Sequence, residues 1–337
     1  MNICHFISSK GLGRGEFYID LVNELSKNSE LNITLLIPVQ AKFLNRICSN
    51  INVIEYKSKD SRNNPFLYLE LFQIFKTNNF SIVHTHFAKA TEIFYRLNKI
   101  FKLIHIGTKH NPRKGKIFNK LKYVTAVSED VKESIKNNNT RIIYNGLVPK
   151  IITKTFIPNE KFTIRAIGRL EKVKGFDKLI ENFSKIDKNI ILEIVGEGNE
   201  LEELNFLVKK YNVQDKINFL GFRKDIPELI ASSDLIVISS ISEGFSLVAL
   251  ETLYYGKLLI STKVGICKQI LTDKLLINDY EVSDKIVDII NNYKSYTDEY
   301  LKVKEEYHNK FLLSSTTKNY LDYYERILKI ENSNNQI

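Results

Sequence analysis

Apolar and polar positions change period repeatedly along this chain. Short β-branched runs alternate with stretches whose apolar residues recur every three or four positions. The first pattern predicts buried strands and the second amphipathic helices. In the first half the expected strands are Ile3–Ile7, Ile33–Ile37, Val53–Tyr56, Ile82–His84, Leu103–Gly107, Val124–Val127 and Ile142–Tyr144. Helical periods fall at Glu16–Lys27, Phe66–Lys76, Ala88–Lys99 and Glu129–Lys136. The pattern then breaks. Asn145–Lys161 has a turn dipeptide, two prolines and no helical period, which is the signature of a linker.

A second series follows. Its expected strands are Thr163–Ile167, Ile190–Val195, Ile217–Phe219, Leu235–Ile238, Leu258–Ser261 and Lys274–Ile277. Its helices are Phe176–Ser184, Asn199–Lys210, Ile226–Ala231 and Leu247–Tyr255. The end reads as helix: Val282–Asn292, Thr297–Phe311 and Ser315–Ile330. Strands interleaved with helices predict parallel sheets covered by helices, hence an α/β chain of two doubly wound domains with a cleft between them.

Composition supports a globular chain, with 43% hydrophobic and 26% charged residues among 337. The three cysteines, Cys4, Cys48 and Cys267, have no pairing or metal-type spacing, so a reduced cytoplasmic compartment is expected. "MNICHFISSKG" lacks a basic leader and a cleavage-like site and reads as a first strand. No apolar stretch approaches the ~18–20 residues that span a bilayer.

Charge changes the picture more. The net +10 is carried by residues 1–150, with 23 Lys and Arg against 11 Asp and Glu; residues 151–337 carry 26 against 28. Nine cations and no acid lie between Ile93 and Ser128, interleaved with aromatics. Such a segment fits a solvated basic face, an anionic membrane surface or phosphorylated partner, or nucleic acid.

Candidate chemistry clusters where strands end. "SSKGLGRGEF" carries Gly11, Gly13 and Gly15 between the first strand and helix, but Glu16 stands where a dinucleotide fingerprint needs its third glycine. His84 and His86 leave the fourth strand on one face; zinc would need a third ligand, and none stands out. One of the pair fits a hydrogen-bonded structural histidine. His110 follows the next strand, beside Lys109, Arg113 and Lys114, whose charges should lower its pKa. In "GRLEKVKGF", Arg169 and Lys174 flank a loop that opens a helix and suit a diphosphate. Gly196 and Gly198 mark the next strand exit, and Gly221 to Lys224, with Arg223, the one after. "SEGFSLVALE" then places Glu243 in a turn and Glu251 inside a helix expected to begin near Ser246, with Leu247, Val248 and Leu250 buried. That interval spans a loop tip and about one and a half helical turns.

These motifs, with "VGEG", "FLGF", "AVSEDVKESI" and "IYNGL", resemble the family-four retaining glycosyltransferases of GT-B type over essentially the whole chain. The resemblance implies two Rossmann-like domains facing each other across a cleft. Residues 1–150 would form the acceptor-side domain, with 318–337 crossing back onto it, and 151–317 the nucleotide-sugar domain. Arg169 and Lys174 would neutralise the departing diphosphate without a metal. Glu243 would hold the transferred sugar and Glu251 the ribose. The amides of Phe245, Ser246 and Leu247 would bind sugar or phosphate oxygens. Gly13 and Gly196 would line the donor site, and backbone near Arg223 would read the base. His110 would stand beside the transferred sugar, with His86, Lys109, Arg113 and Lys114 on the acceptor side. No cofactor is expected beyond the sugar nucleotide, and UDP is favoured as its carrier. The acceptor would be a saccharide or glycolipid of bacterial surface-glycan synthesis. The enzyme would be cytoplasmic, held at the inner membrane by the 93–128 segment, with no nucleic acid involved. In "STKVGICKQIL", Gly265 is the one glycine where the family often has two, and Lys268 and Gln269 stand where it often has an acid. Two other readings share the frame. A sugar-nucleotide epimerase would need no acceptor. A nucleic-acid or membrane-surface binder would use the basic half and leave the diphosphate loop without purpose.

Overall fold

The computed structural model describes residues 1–10, 17–113, 115–152, 160–278 and 281–334. The chain divides into two units, residues 1–146 with 312–337, and residues 147–311. The divisions fall at 146/147 and 311/312, where the sequence reading put 150/151 and 317/318.

Among the described residues, the first unit is built on seven strands: β1 Asn2–Ile7, β2 Asn32–Pro38, β3 Asn52–Tyr56, β4 Ile82–His86, β5 Ile104–Lys109, β6 Tyr123–Ala126 and β7 Thr140–Ile142. All pair in parallel in the order β3-β2-β1-β4-β5-β6-β7. The second carries β8 Phe162–Ile167, β9 Ile190–Val195, β10 Ile217–Gly221, β11 Leu235–Ile238, β12 Leu259–Thr262 and β13 Leu276–Ile277. These run in parallel in the order β10-β9-β8-β11-β12-β13. The expected α/β class with two doubly wound sheets is borne out. Helices cover both faces of such sheets, which is why β1, β4, β6 and β11 are buried almost throughout.

The C-terminal helix, Leu313–Asn334, belongs to the first unit. Leu313, Tyr320, Tyr323, Tyr324 and Ile327 join the core formed with β1, β2 and the helix Phe17–Leu25. Buried hydroxyls fix its register. Tyr324 Oη lies 2.6 Å from His84 Nδ1, and Tyr320 Oη lies 3.3 Å from Thr108 Oγ1, which in turn is 2.5 Å from Thr125 Oγ1. At its far end Glu331 pairs with Lys122 at 2.7 Å and accepts from the Tyr123 hydroxyl.

In the second unit, Arg165 on β8 is almost fully buried yet satisfied. It donates to Glu193 on β9 at 2.6 Å and to the Leu229 carbonyl at 2.6 Å, with Ser232 and Ser233 completing the shell at 2.8 and 3.1 Å. Among the described residues, no helix is long and apolar enough to cross a membrane.

Boundaries shift where side chains override period. The helix expected at Thr297–Phe311 runs from Tyr293 to Tyr307, and a 3-10 turn, His308–Phe311, finishes it. Tyr293 anchors its start by donating to the Asp234 carbonyl at 2.7 Å.

The Tyr324–His84 bond carries a test. Tyr324→Phe removes a buried donor or acceptor and leaves a histidine nitrogen unpaired, at a cost of about 1–3 kcal/mol. The expected outcome is a lower thermal midpoint and faster amide exchange in β4, with the exchange of β8 to β11 unchanged.

Candidate functional site

Strand order reverses between β8 and β11, and open α/β sheets bind ligands beyond the C-terminal ends of the strands that flank such a reversal. Two loops leave the sheet there. One runs from Gly168 to Gly175 after β8 and the other from Ser239 to Ser246 after β11. Backbone bonds tie them together. Ile241 N donates to Val173 O at 2.8 Å, and Ser239 Oγ donates to Lys174 O at 2.9 Å. Gly175 has a φ of 64°, and a Cβ there would sit 2.2 Å from Ser239 O. Only glycine lets the two chains meet this closely.

That approach brings Lys174 and Glu243 together. Lys174 Nζ lies 2.6 Å from Glu243 Oε1, and Ser240 Oγ donates to the same oxygen at 2.7 Å. Their side chains are 19% and 11% exposed, so the pair is largely withdrawn from water. Thr262 on β12 holds the loop from behind, donating to Ser240 O at 2.6 Å. Gly265, with a φ of 48°, backs Glu243: a Cβ there would lie 3.1 Å from the Glu243 Cβ.

The helix Leu247–Tyr255 begins in the same loop. Ser246 caps it, its Oγ accepting from Ala249 N at 3.3 Å. Its first-turn amides lack helical partners of their own and carry the positive end of the helix dipole. The buried side is Ala249, Leu250, Thr252 and Leu253, whereas Leu247 and Val248 are only half-buried, which corrects the expected face by about one residue. Glu251 lies in the middle of this helix, half-buried, and its charge helps raise the Tyr255 phenol, whose shift comes first from burial.

The glycines at the neighbouring strand ends pack backbone on backbone. Gly196 N donates to Gly221 O at 2.8 Å, and a Cβ on Gly196 would meet Gly168 O at 1.9 Å. Gly196 thus sets the β8 loop in place. Arg169 is exposed and pairs with Glu171 at 2.5 Å, while Arg223 is held by both carboxylate oxygens of Asp225 at 2.8 and 2.6 Å. Phe245 meets Phe311 edge-on at 6.2 Å. Gly13 and Lys114 lie outside the described residues.

The first unit has its own reversal, between β1 and β4. His5 on β1 pairs in register with His84 on β4. His5 Nδ1 is 3.1 Å from His86 Nε2, and His86 Nδ1 is 3.2 Å from His110 Nε2. His84 meets Tyr324 and, at 2.5 Å, Thr108. It is the structural histidine of the pair. Burial pushes the pKa of His5 and His110 down to about 3 and those of His84 and His86 well below the usual value. The lowering expected for His110 is present, but desolvation causes it rather than the neighbouring cations.

Two of the expected acceptor-side residues are buried. His86 is fully buried and reaches His110, not the surface. Lys109 is 4% exposed and donates to Ser134 O and Oγ at 3.2 and 2.8 Å. Arg113 is exposed. A third histidine near the His84–His86 pair does exist. It is His5, which the β1–β4 register brings beside them, and nitrogens of the three lie within 4.8 Å. Ser239, Ser240 and Gly265 also went unassigned; the serines ending β11 were the visible signal.

The family model described as glycosyl transferases group 1 matches residues 148–311, nearly the whole second unit. An uncharacterized glycosyltransferase of Methanocaldococcus jannaschii is 30% identical over 251 residues, 65% of this chain and 68% of that protein. An O-antigen biosynthesis glycosyltransferase of Escherichia coli is 24% identical over 219 residues, 62% of this chain and 61% of its own length. The crystal structure of Anabaena HepE in complex with UDP-glucose aligns with a TM-score of 0.81 over 97% of this chain and 100% of its own, at 17% identity, and so shares the fold. With its loops and glycines arranged as above, the chain belongs to the group 1 glycosyltransferases.

Proposed function

We propose that this glycosyltransferase moves a hexose or N-acetylhexosamine from a UDP sugar to a saccharide or glycolipid acceptor, with retention at the anomeric carbon and without a metal, in bacterial surface-glycan synthesis. One observation carries the reading: a largely buried lysine and glutamate, Lys174 and Glu243, share a hydrogen bond at the strand-order reversal, in the loop that opens a helix. The UDP-glucose held by the HepE neighbour and the O-antigen role named for the E. coli relative favour this donor and this product class.

The chemistry divides among the residues. The leaving diphosphate gains negative charge as the glycosidic bond breaks. Lys174 turns from Glu243 to that diphosphate, and Arg169 leaves Glu171 to join it, which supplies the stabilisation a divalent cation gives elsewhere. Glu243, released, accepts hydrogen bonds from the hydroxyls of the transferred sugar. Glu251 accepts from the ribose. The amides of Phe245, Ser246 and Leu247 bind phosphate or sugar oxygens, and backbone near Arg223 reads the base. His110 contacts the transferred sugar, and Arg113 serves the acceptor. Retention follows a front-face route, in which the departing phosphate oxygen takes the proton of the incoming hydroxyl.

The 93–128 segment seats the protein on an anionic membrane. Its cations are not uniform. Arg96 pairs with Glu92 and Lys122 with Glu331, and Lys109 is buried. The exposed Lys99, Lys102, Arg113, Lys116 and Lys120 carry the attraction.

Turnover of UDP-hexose with a glycan acceptor is expected to fall by about 10²–10³ in Glu243→Ala and in Arg169→Ala. Unchanged rates in both refute the site. Donor incubated alone, followed by NMR, separates transfer from epimerisation, since only an epimerase converts it without acceptor.

Ligand binding gives a second expectation. UDP at about a hundredfold excess over its Kd should raise the midpoint of the second unit by roughly 5 °C or more, with GDP giving little. An equal response to both nucleotides removes the assignment of the base.

Flotation with vesicles tests the third. Anionic vesicles should carry the protein at low salt and release it at high salt, with charge-reversed Lys99, Lys102 and Lys120 abolishing flotation.

A further inference from the structure

His5 is a fully buried ring with one unpaired nitrogen among the described residues. Its Nε2 has no hydrogen-bond partner among the described residues. Its other nitrogen, Nδ1, faces His86 Nε2 at 3.1 Å, and His86 Nδ1 faces His110 Nε2 at 3.2 Å. Three imidazoles therefore stand in a row, from the interior of β1 to the loop after β5. Each contact joins two ring nitrogens, so one must donate and the other accept. Burial keeps the rings neutral, with one proton apiece.

Such a row has two ordered states. In one, every N–H points outward, from His5 to His86 and from His86 to His110. In the other, every N–H points inward, and the last proton lands on His5 Nε2. That second state buries a donor with nothing to receive it. The first leaves only an unused lone pair there. Buried N–H groups without partners are rarer in proteins than under-used acceptors, because the unpaired donor keeps the larger desolvation penalty. The outward state is the stable one.

We infer that His5 and His86 are positioning residues that fix His110 as its Nδ1–H tautomer, so that the outermost ring offers a donor to the oxygen of the group being transferred. This role rests on the reading of His110 as a contact to the transferred sugar; the tautomer assignment itself does not. His84 stands beside the row rather than in it. Both of its nitrogens are used, by Tyr324 at 2.6 Å and Thr108 at 2.5 Å, and its ring stacks on His86 with centroids 4.4 Å apart and planes 28° apart. The stack holds the His86 plane in line with its neighbours. A metal ion shared by His5, His84 and His86 would have to break one of the two His84 bonds and one of the two His86 bonds together. The geometry favours the hydrogen-bonded row.

The test is ring nitrogen NMR on the full-length protein labelled with 15N-histidine, its six histidines assigned by single substitutions. Protonated and bare ring nitrogens resonate far apart, so the tautomer is read directly. The expected result is Nδ1–H on His5, His86 and His110, the form that a histidine free in water populates less. His5→Leu removes the first donor. His86 and His110 then lose their single tautomer, and kcat/KM falls about threefold to tenfold, the worth of one neutral hydrogen bond. His5→Asn places an amide N–H near the former Nδ1 and restores both the spectrum and the rate.

An Nε2–H tautomer on His110 in the wild-type protein overturns the inference. So does a His110 spectrum unmoved by His5→Leu, or stoichiometric zinc in the purified protein that His5→Leu abolishes. If His5→Leu does not fold, the wild-type spectrum and His5→Asn decide. The underlying reading fails separately: His110→Ala with undiminished transfer, alongside the expected wild-type tautomers, overturns the sugar contact and leaves the tautomer row standing.

Discussion

Everything in the second unit depends on a parallel sheet whose strand order reverses once. Parallel strands deliver all their C-terminal ends to one edge, and the reversal between β8 and β11 parts the loops that leave there. Only at that point can two loops from distant parts of the sequence stand side by side with no crossover helix between them. Lys174 and Glu243, separated by 69 positions, meet there at 2.6 Å. The glycines make the meeting possible. A side chain at Gly175 would strike the Ser239 carbonyl, and one at Gly196 would strike the Gly168 carbonyl. These residues act through packing: they set how near the loops come, and thereby where the cation and the carboxylate sit.

The alternation of β-branched and helical periods made the two sheets legible in the sequence, because a parallel strand buried on both faces has to be apolar along its length. Leu235–Ile238 could be bounded to the residue for that reason. Side-chain partners were less legible. Lys109 looks like a member of a basic cluster, yet it is buried against Ser134, a contact between residues 25 apart that no local pattern announces. His5 sits in an unbroken apolar run, and only the β1–β4 register reveals that it faces His84. Gly265 looked like a remnant of a fuller glycine motif. In the structure its positive φ lets the chain turn against Glu243.

The two units handle buried polar groups by different means. In the second, charge meets charge: Arg165 is surrounded by Glu193, a carbonyl and two hydroxyls, and Lys174 by Glu243 with Ser240 in support. In the first, neutral groups carry the network, with four histidines, Thr108, Thr125 and the tyrosines of the C-terminal helix linked through ring nitrogens and hydroxyls. A neutral network costs less to bury than a charged one, but it stores information in proton positions instead. That distinction would matter for His110 in its proposed contact to the transferred sugar, which needs hydrogen on a particular ring nitrogen.

The Lys174–Glu243 pair also bears on which ligands can open the site. Both side chains are mostly withdrawn from water, so separating them without replacement would leave two poorly solvated charges. A neutral sugar can satisfy Glu243 through its hydroxyls but offers Lys174 no anion. A diphosphate alone satisfies Lys174 but leaves Glu243 with the Ser240 hydroxyl and little else. A sugar joined to a diphosphate serves both at once. It exchanges one ion pair for a second ion pair and a set of hydroxyl bonds. In the proposed function the pair would therefore discriminate by chemistry before any contact to the base is made. It would favour the intact donor over either of its halves, and once the glycosidic bond is broken, it would draw the product site back toward its closed, self-neutralised state.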